Sequence, residues 1–196
     1  SSKMEMAQKP HFFAQVMEKD AENIRRVIDT IQEEDIQQAV DRIMRAEKVF
    51  LIGMRTSFAP AQWFSFTLGL ARDQVKLVQP GMDDLVAIQQ NINESSVFIA
   101  ITFHRYVRET VQIAKMAKER GAFVISLTDS ALAPITEFSD LTFAVGSQEK
   151  STLDVFPPLF SLLNAIMASL YIQYPEEVNE RQQKYEQVNA DHLFYF

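Results

Sequence analysis

Hydrophobic positions change their spacing partway along the chain. Over roughly the first fifty residues they recur at helical intervals. Phe13, Val16, Ala21, Ile24, Val27, Ile28 and Ile31 form one series, and Ile36, Ala39, Val40 and Ile43 a second, with a polar, acidic break from Thr30 to Asp35 between them. Two helices are predicted there. Five short runs follow: KVFLIGM (48–54), VKLVQ (75–79), SVFIAIT (96–102), AFVISLT (122–128) and DLTFAV (140–145). Each is rich in β-branched or aromatic residues and mostly apolar throughout, which is the pattern of strands covered on both faces, hence of a parallel sheet.

Helices are predicted between the strands, at about 57–71, 83–92 and 107–120. The last places Val107, Val111, Ala114 and Ala117 on one stripe and ends with Gly121 just past its final turn. Strands alternating with helices imply right-handed crossovers and a doubly wound α/β sheet. The expected organisation is a two-helix amino-terminal stretch over 1–45 followed by one α/β domain over 46–196. A charged helix at about 175–192 closes the chain.

The segment VFPPLFSLLNAIMASLYI, 155–172, carries no charge and approaches the length of a membrane span. Pro157, Pro158, Asn164 and two serines interrupt it, and its flanks are acidic rather than basic. A buried helix, in the domain or between subunits, is the expectation, with no membrane partner.

Composition narrows the chemistry. At 196 residues and 47% hydrophobic, the chain is long enough for a substantial core. With no cysteine there is no thiol nucleophile, disulfide or cysteine zinc site, and three scattered histidines make no obvious metal set. Neither a metal nor a cofactor is expected. A net charge of −7 argues against a nucleic-acid platform on this chain. No basic-then-apolar leader is visible, and the composition suits a reducing cytoplasm.

Ligands of open parallel sheets bind beyond the carboxyl ends of the strands. Three of those ends carry polar clusters. Arg55, Thr56 and Ser57 follow the first strand; Thr102, His104 and Arg105, with Tyr106 and Arg108 beyond, follow the third; Thr128, Asp129 and Ser130 follow the fourth. Each has a plainer reading. Ser57 or Thr56 could simply cap the next helix, with Pro60 in its first turn, and the last cluster could be an ordinary turn. What favours a site is coincidence: Arg55, His104, Arg105 and Arg108 gather on one edge of an acidic protein, beside two helix amino termini. The candidate ligand-binding residues are therefore Arg55, Thr56, Ser57, Thr102, His104, Arg105 and Thr128, and no catalytic residue is assigned. His104 as a general base with Glu149 as its partner is an alternative that no spacing supports.

Over about residues 20 to 172 the chain resembles the sugar isomerase (SIS) domain, in particular the effector-binding domain of RpiR-family bacterial transcription regulators. The resemblance rests on VFLIGMRTSF, IAITFHRYVRETV, AKERGAFVISLTDSALAPITEFSDLTF and LDVFPPLFSLLNAI. It implies a three-layer α/β/α sandwich with a five-stranded parallel sheet in the order 2-1-3-4-5. It also implies a sugar phosphate held by two loops, G-x-G-x-S and S-x-S-G-x-T. Here Gly53 and Ser57 match the first, but Arg55 stands at its second glycine. In the second, Thr102 and His104 stand for the serines, Arg105 for the glycine and Val107 for the threonine. Ala133 replaces the serine usual before Pro134. Hydroxyl and glycine donors have given way to cationic side chains, and a guanidinium fork suits carboxylate as well as phosphate.

The resemblance implies a ligand-sensing, dimerising module of a transcription regulator. Its partners would be a small anionic metabolite, a second copy or a dimer of dimers, and DNA through a helix-turn-helix domain that this sequence does not contain. The alternatives are a sugar-phosphate isomerase or lyase of the SIS type, and a dimerisation domain with a vestigial pocket.

Overall fold

The apolar runs become β1 (Lys48–Gly53), β2 (Val75–Leu77), β3 (Ser96–Ile101), β4 (Phe123–Thr128) and β5 (Leu141–Ala144) in the computed structural model, which describes residues 11–146 and 151–192. All neighbouring strands pair in parallel, in the order β2-β1-β3-β4-β5. The helices are α1 (Phe12–Thr30), α2 (Glu33–Arg45), α3 (Phe58–Ala71), α4 (Leu85–Asn91), α5 (Arg108–Glu119), α6 (Thr152–Gln173) and α7 (Pro175–His192). Short 3-10 turns at Arg55–Ser57 and Pro134–Phe138 complete the order.

Two cores explain why the strands are apolar without alternation. Val49 and Leu51 of β1 face a core built with α1, α2, α3 and α6, while Phe50 and Ile52 face another built with α4 and α5. Successive side chains point to opposite faces, so a sheet covered twice needs apolar residues at every position. Val27, Ile36, Ala39, Val40 and Ile43 of α1 and α2 belong to the first core, together with sheet residues.

Three elements differ from the sequence-based expectation. The 75–79 run is a strand only over Val75–Leu77, because Gln79 turns away and donates its N–H to Asp83 Oδ2 at 2.7 Å. The 83–92 segment is helical only over Leu85–Asn91, where the Asp84 carboxylate caps it by accepting from the N–H groups of Val86 and Ala87. In α5 the buried stripe is Thr110, Ile113, Ala114 and Ala117, with Val107 and Val111 at its margin. Gly121 takes φ 90° just after that helix, as its position requires.

The long apolar helix α6 buries Val155, Leu159, Leu162, Leu163, Ile166, Met167 and Leu170 against α1, α2 and α3. Leu153–Gln173 is long and apolar enough to cross a membrane by length and composition alone, yet this inward face is part of the core. Its outward face, which includes Ser161, Asn164, Ala165, Ala168, Tyr171 and Ile172, carries no charge. Pro158 has no N–H to offer the carbonyl of Asp154 four residues back. The buried Asn23 of α1 supplies a substitute, donating from Nδ2 to that carbonyl at 3.4 Å, and Arg26 in turn donates to Asn23 Oδ1 at 2.8 Å.

Candidate ligand site at the carboxyl ends of the strands

Strand register sets the site. Gly53 at the end of β1 lies opposite Ile101 at the end of β3, and Ile101 lies opposite Leu127 of β4. The turns after these three strands therefore open on one rim; six of the seven residues singled out from sequence lie in the first two turns, and Thr128 is the last residue of β4.

The first turn folds back hard on itself. A Cβ on Gly53 would come within 2.2 Å of the Ser57 carbonyl oxygen, so no side chain fits there. Ser57 donates its N–H to Met54 O at 3.1 Å and is 4% exposed. It occupies the cap position of α3, but its hydroxyl accepts no cap bond, so the capping role considered above is not realised. Thr56 beside it is exposed.

Thr102, 3% exposed, begins the second turn and donates its N–H to Leu127 O at 3.1 Å. The hydroxyls of Ser57 and Thr102 make no hydrogen bond among the described residues, although both residues are nearly buried. Neither oxygen is itself shut off from solvent, so two free hydroxyls on adjacent strand ends remain open to a ligand.

Arg55 has φ 56° and Arg105 has φ 67°, both in the left-handed region that L-residues other than glycine avoid. These are the two positions where the resembled loops carry glycine. The backbone has kept the glycine conformation while the side chain has changed. Each cation is exposed, and neither these two nor Arg108 makes an ion pair or hydrogen bond among the described residues. His104, also exposed, stands roughly perpendicular to the Tyr106 ring, at 6.3 Å between centroids.

The third turn holds a feature that the sequence reading did not assemble. Tyr106 reaches across from the β3 turn and donates its phenol proton to Asp129 Oδ1 at 2.9 Å. Thr128, fully buried, donates to the same oxygen at 3.2 Å. Burial first, and then the hydrogen bond and charge of Asp129, push the Tyr106 phenol up to about 12. Gly146 lies close behind Asp129: a Cβ there would come within 2.0 Å of the Asp129 carbonyl oxygen. Glu149, the alternative partner of His104, lies outside the described residues. A cleft of about 720 Å³ opens at the opposite rim, among Asp35, Gln38, Arg42, Ser96 and Phe123, away from these turns.

The SIS domain model matches residues 42–170. The chain belongs to the SIS domain family. Among relatives of this SIS chain, the HTH-type transcriptional regulator HexR of Pseudomonas aeruginosa is 27% identical over 131 residues, which cover 64% of this chain and 43% of the regulator. An uncharacterized HTH-type transcriptional regulator of Haemophilus influenzae is 25% identical over 127 residues, again 43% of its length. The SIS chain thus spans about half, or less, of the length of the curated regulators it matches. The sugar isomerase domain of an RpiR transcription factor from Sphaerobacter thermophilus superposes with TM-score 0.81 at 25% identity, covering 89% of this chain and 97% of that one. The Vibrio vulnificus NanR protein complexed with ManNAc-6P shares the SIS fold, with TM-score 0.80 at 16% identity over 98% of this chain and 74% of that one.

Proposed function

We propose that this SIS chain is the effector-binding and dimerisation module of a cytoplasmic DNA-binding regulator, and that it senses a small anionic metabolite of the sugar-phosphate or sugar-acid kind. The observation that carries the reading is the pair of hydroxyls on the nearly buried Ser57 and Thr102, open to solvent and without a partner among the described residues, beside the equally unpaired cations of Arg55 and Arg105. Hydroxyls at depth suit a polar, oxygen-rich ligand, and guanidinium forks at the rim suit its anionic end. The regulators among the relatives, and the ManNAc-6P named with NanR, point the same way. DNA would be reached through a domain outside this sequence. The helices over 11–45 are then the transmission element, since a ligand shifts a two-state equilibrium by its differential affinity for the states.

Conversion asks for more than sensing does. It needs an acid–base pair within hydrogen-bond reach of the reacting atoms, beside a firm phosphate anchor. Here Val107 stands where the family loop has a hydroxyl, and the exposed His104 has no hydrogen-bond or ion-pair partner among the described residues.

The test is a calorimetric panel of sugar phosphates and sugar acids. A charge-assisted hydrogen bond contributes about 1.5–3 kcal/mol, so Arg55→Ala or Arg105→Ala is expected to weaken the best ligand about 10- to 150-fold. Unchanged affinity in both variants would remove the site. Turnover of a sugar phosphate that vanishes in His104→Ala would replace the sensor with an enzyme.

A further inference from the structure

A carboxylate stands on the rim of the ligand site just proposed, and its geometry says what the rest of the ligand must carry. Asp129 stands at the first position past β4, on the rim shared with Arg55 and Arg105. Its Oδ1 is fully engaged, accepting from Tyr106 at 2.9 Å and from Thr128 at 3.2 Å. Among the described residues its Oδ2 accepts nothing and no cation pairs with it. Gly146 packs close behind it, so that even a methyl group there would clash with the Asp129 carbonyl.

An ordinary turn aspartate caps its own loop through a backbone N–H two residues on. Asp129 does not; its bonds run to two side chains, one of them from a neighbouring strand's turn. The result is a carboxylate held in one orientation with an open acceptor at the mouth of an anion site. A negative charge there opposes an anion, so it is useful only if the ligand brings donors to it.

We infer that Asp129 is a specificity residue that accepts hydroxyl or amine donors from the ligand, with Tyr106 as the positioning residue that fixes it. The ligand is then an anion carrying donor groups at its other end: a polyhydroxylated or amino-sugar anion, rather than a bare phosphate, a diphosphate or a dicarboxylate. Tyr106 acts as a lock because its phenol remains protonated at neutral pH and can only donate to Oδ1 while Asp129 is ionised. This inference rests on the effector-site reading and narrows it.

The experiment compares, by calorimetry on the whole chain, inorganic phosphate and acetate with fructose 6-phosphate, ManNAc-6P and gluconate. In the unaltered protein at least one polyol anion is expected to bind about 10-fold or more tightly than its parent anion, the increment of one charged hydrogen bond. Asp129→Asn keeps an oxygen for Tyr106 and Thr128 but turns the open acceptor into a donor and removes a charge. It is expected to abolish the polyol advantage while phosphate binds more tightly, and Tyr106→Phe to narrow the advantage. A polyol advantage that survives in Asp129→Asn overturns the inference, as does its absence from the unaltered protein. In either case the effector site itself stands if Arg55→Ala and Arg105→Ala still weaken phosphate, and falls if they do not.

Discussion

Arg55 and Arg105 show what can and cannot be read residue by residue. That cations had replaced glycines was legible in the sequence; that the backbone had stayed left-handed under them was not, because loop conformation is set by packing such as that of the Ser57 carbonyl over Gly53. Tyr106 is a similar case. Its partner Asp129 lies on another turn, and only the adjacency of β3 and β4 joins them. The Tyr106 phenol carries a pH signature. Its folded value, about 12, lies above the ordinary value near 10, so the native protein keeps a proton that the unfolded chain releases. The resulting stability is fully present below about pH 10 and is lost as pH rises towards about 12. Denaturant melts at about pH 9 and about pH 11.5 should show a larger loss for the unaltered protein than for Tyr106→Phe. Equal losses would mean the phenol titrates normally.

Elements were more legible than their ends. Five apolar runs gave five parallel strands because burial on both faces leaves a pattern that few other environments impose. The ends of β2 and α4 escaped notice because two aspartate side chains decide them, Asp83 by taking the Gln79 N–H and Asp84 by capping. The prolines of α6 looked like interruptions in the sequence, yet the helix continues through them. Part of the reason lies on another element: Asn23 of α1 donates to the Asp154 carbonyl that Pro158 leaves without its helical donor. Asn23→Ala would strand that carbonyl in a buried junction, an error that costs about 1–3 kcal/mol. Chemical denaturation should show this loss, with α1 protons exchanging faster than those of the sheet. A change within about 0.5 kcal/mol would mean that water or another group satisfies the carbonyl equally well.

At the scale of the whole molecule, the strand order came through the resemblance, since alternating strands and helices fit more than one winding. The outward side of α6 bears on assembly. It runs from Leu153, 56% exposed, to Ile172, 79% exposed, without a charge, and α1 nearby exposes Phe13, Met17 and Ile28. Exposed apolar surface, where it joins into one patch, usually marks an interface. Sedimentation at micromolar concentration is expected to show a dimer or larger, and Ala165→Glu to shift it towards monomer. A monomeric unaltered protein would leave these faces unexplained. The left-handed arginines carry one more consequence, for how such sites diversify. A non-glycine residue in that conformation costs about 1–2 kcal/mol, against a total stability of about 5–15 kcal/mol for a typical domain. Exchanging glycine for arginine at Arg55 or Arg105 is thus affordable one position at a time, with the loop path preserved at each step. On these magnitudes a rim side chain of this scaffold is open to replacement by point substitution without loss of the fold.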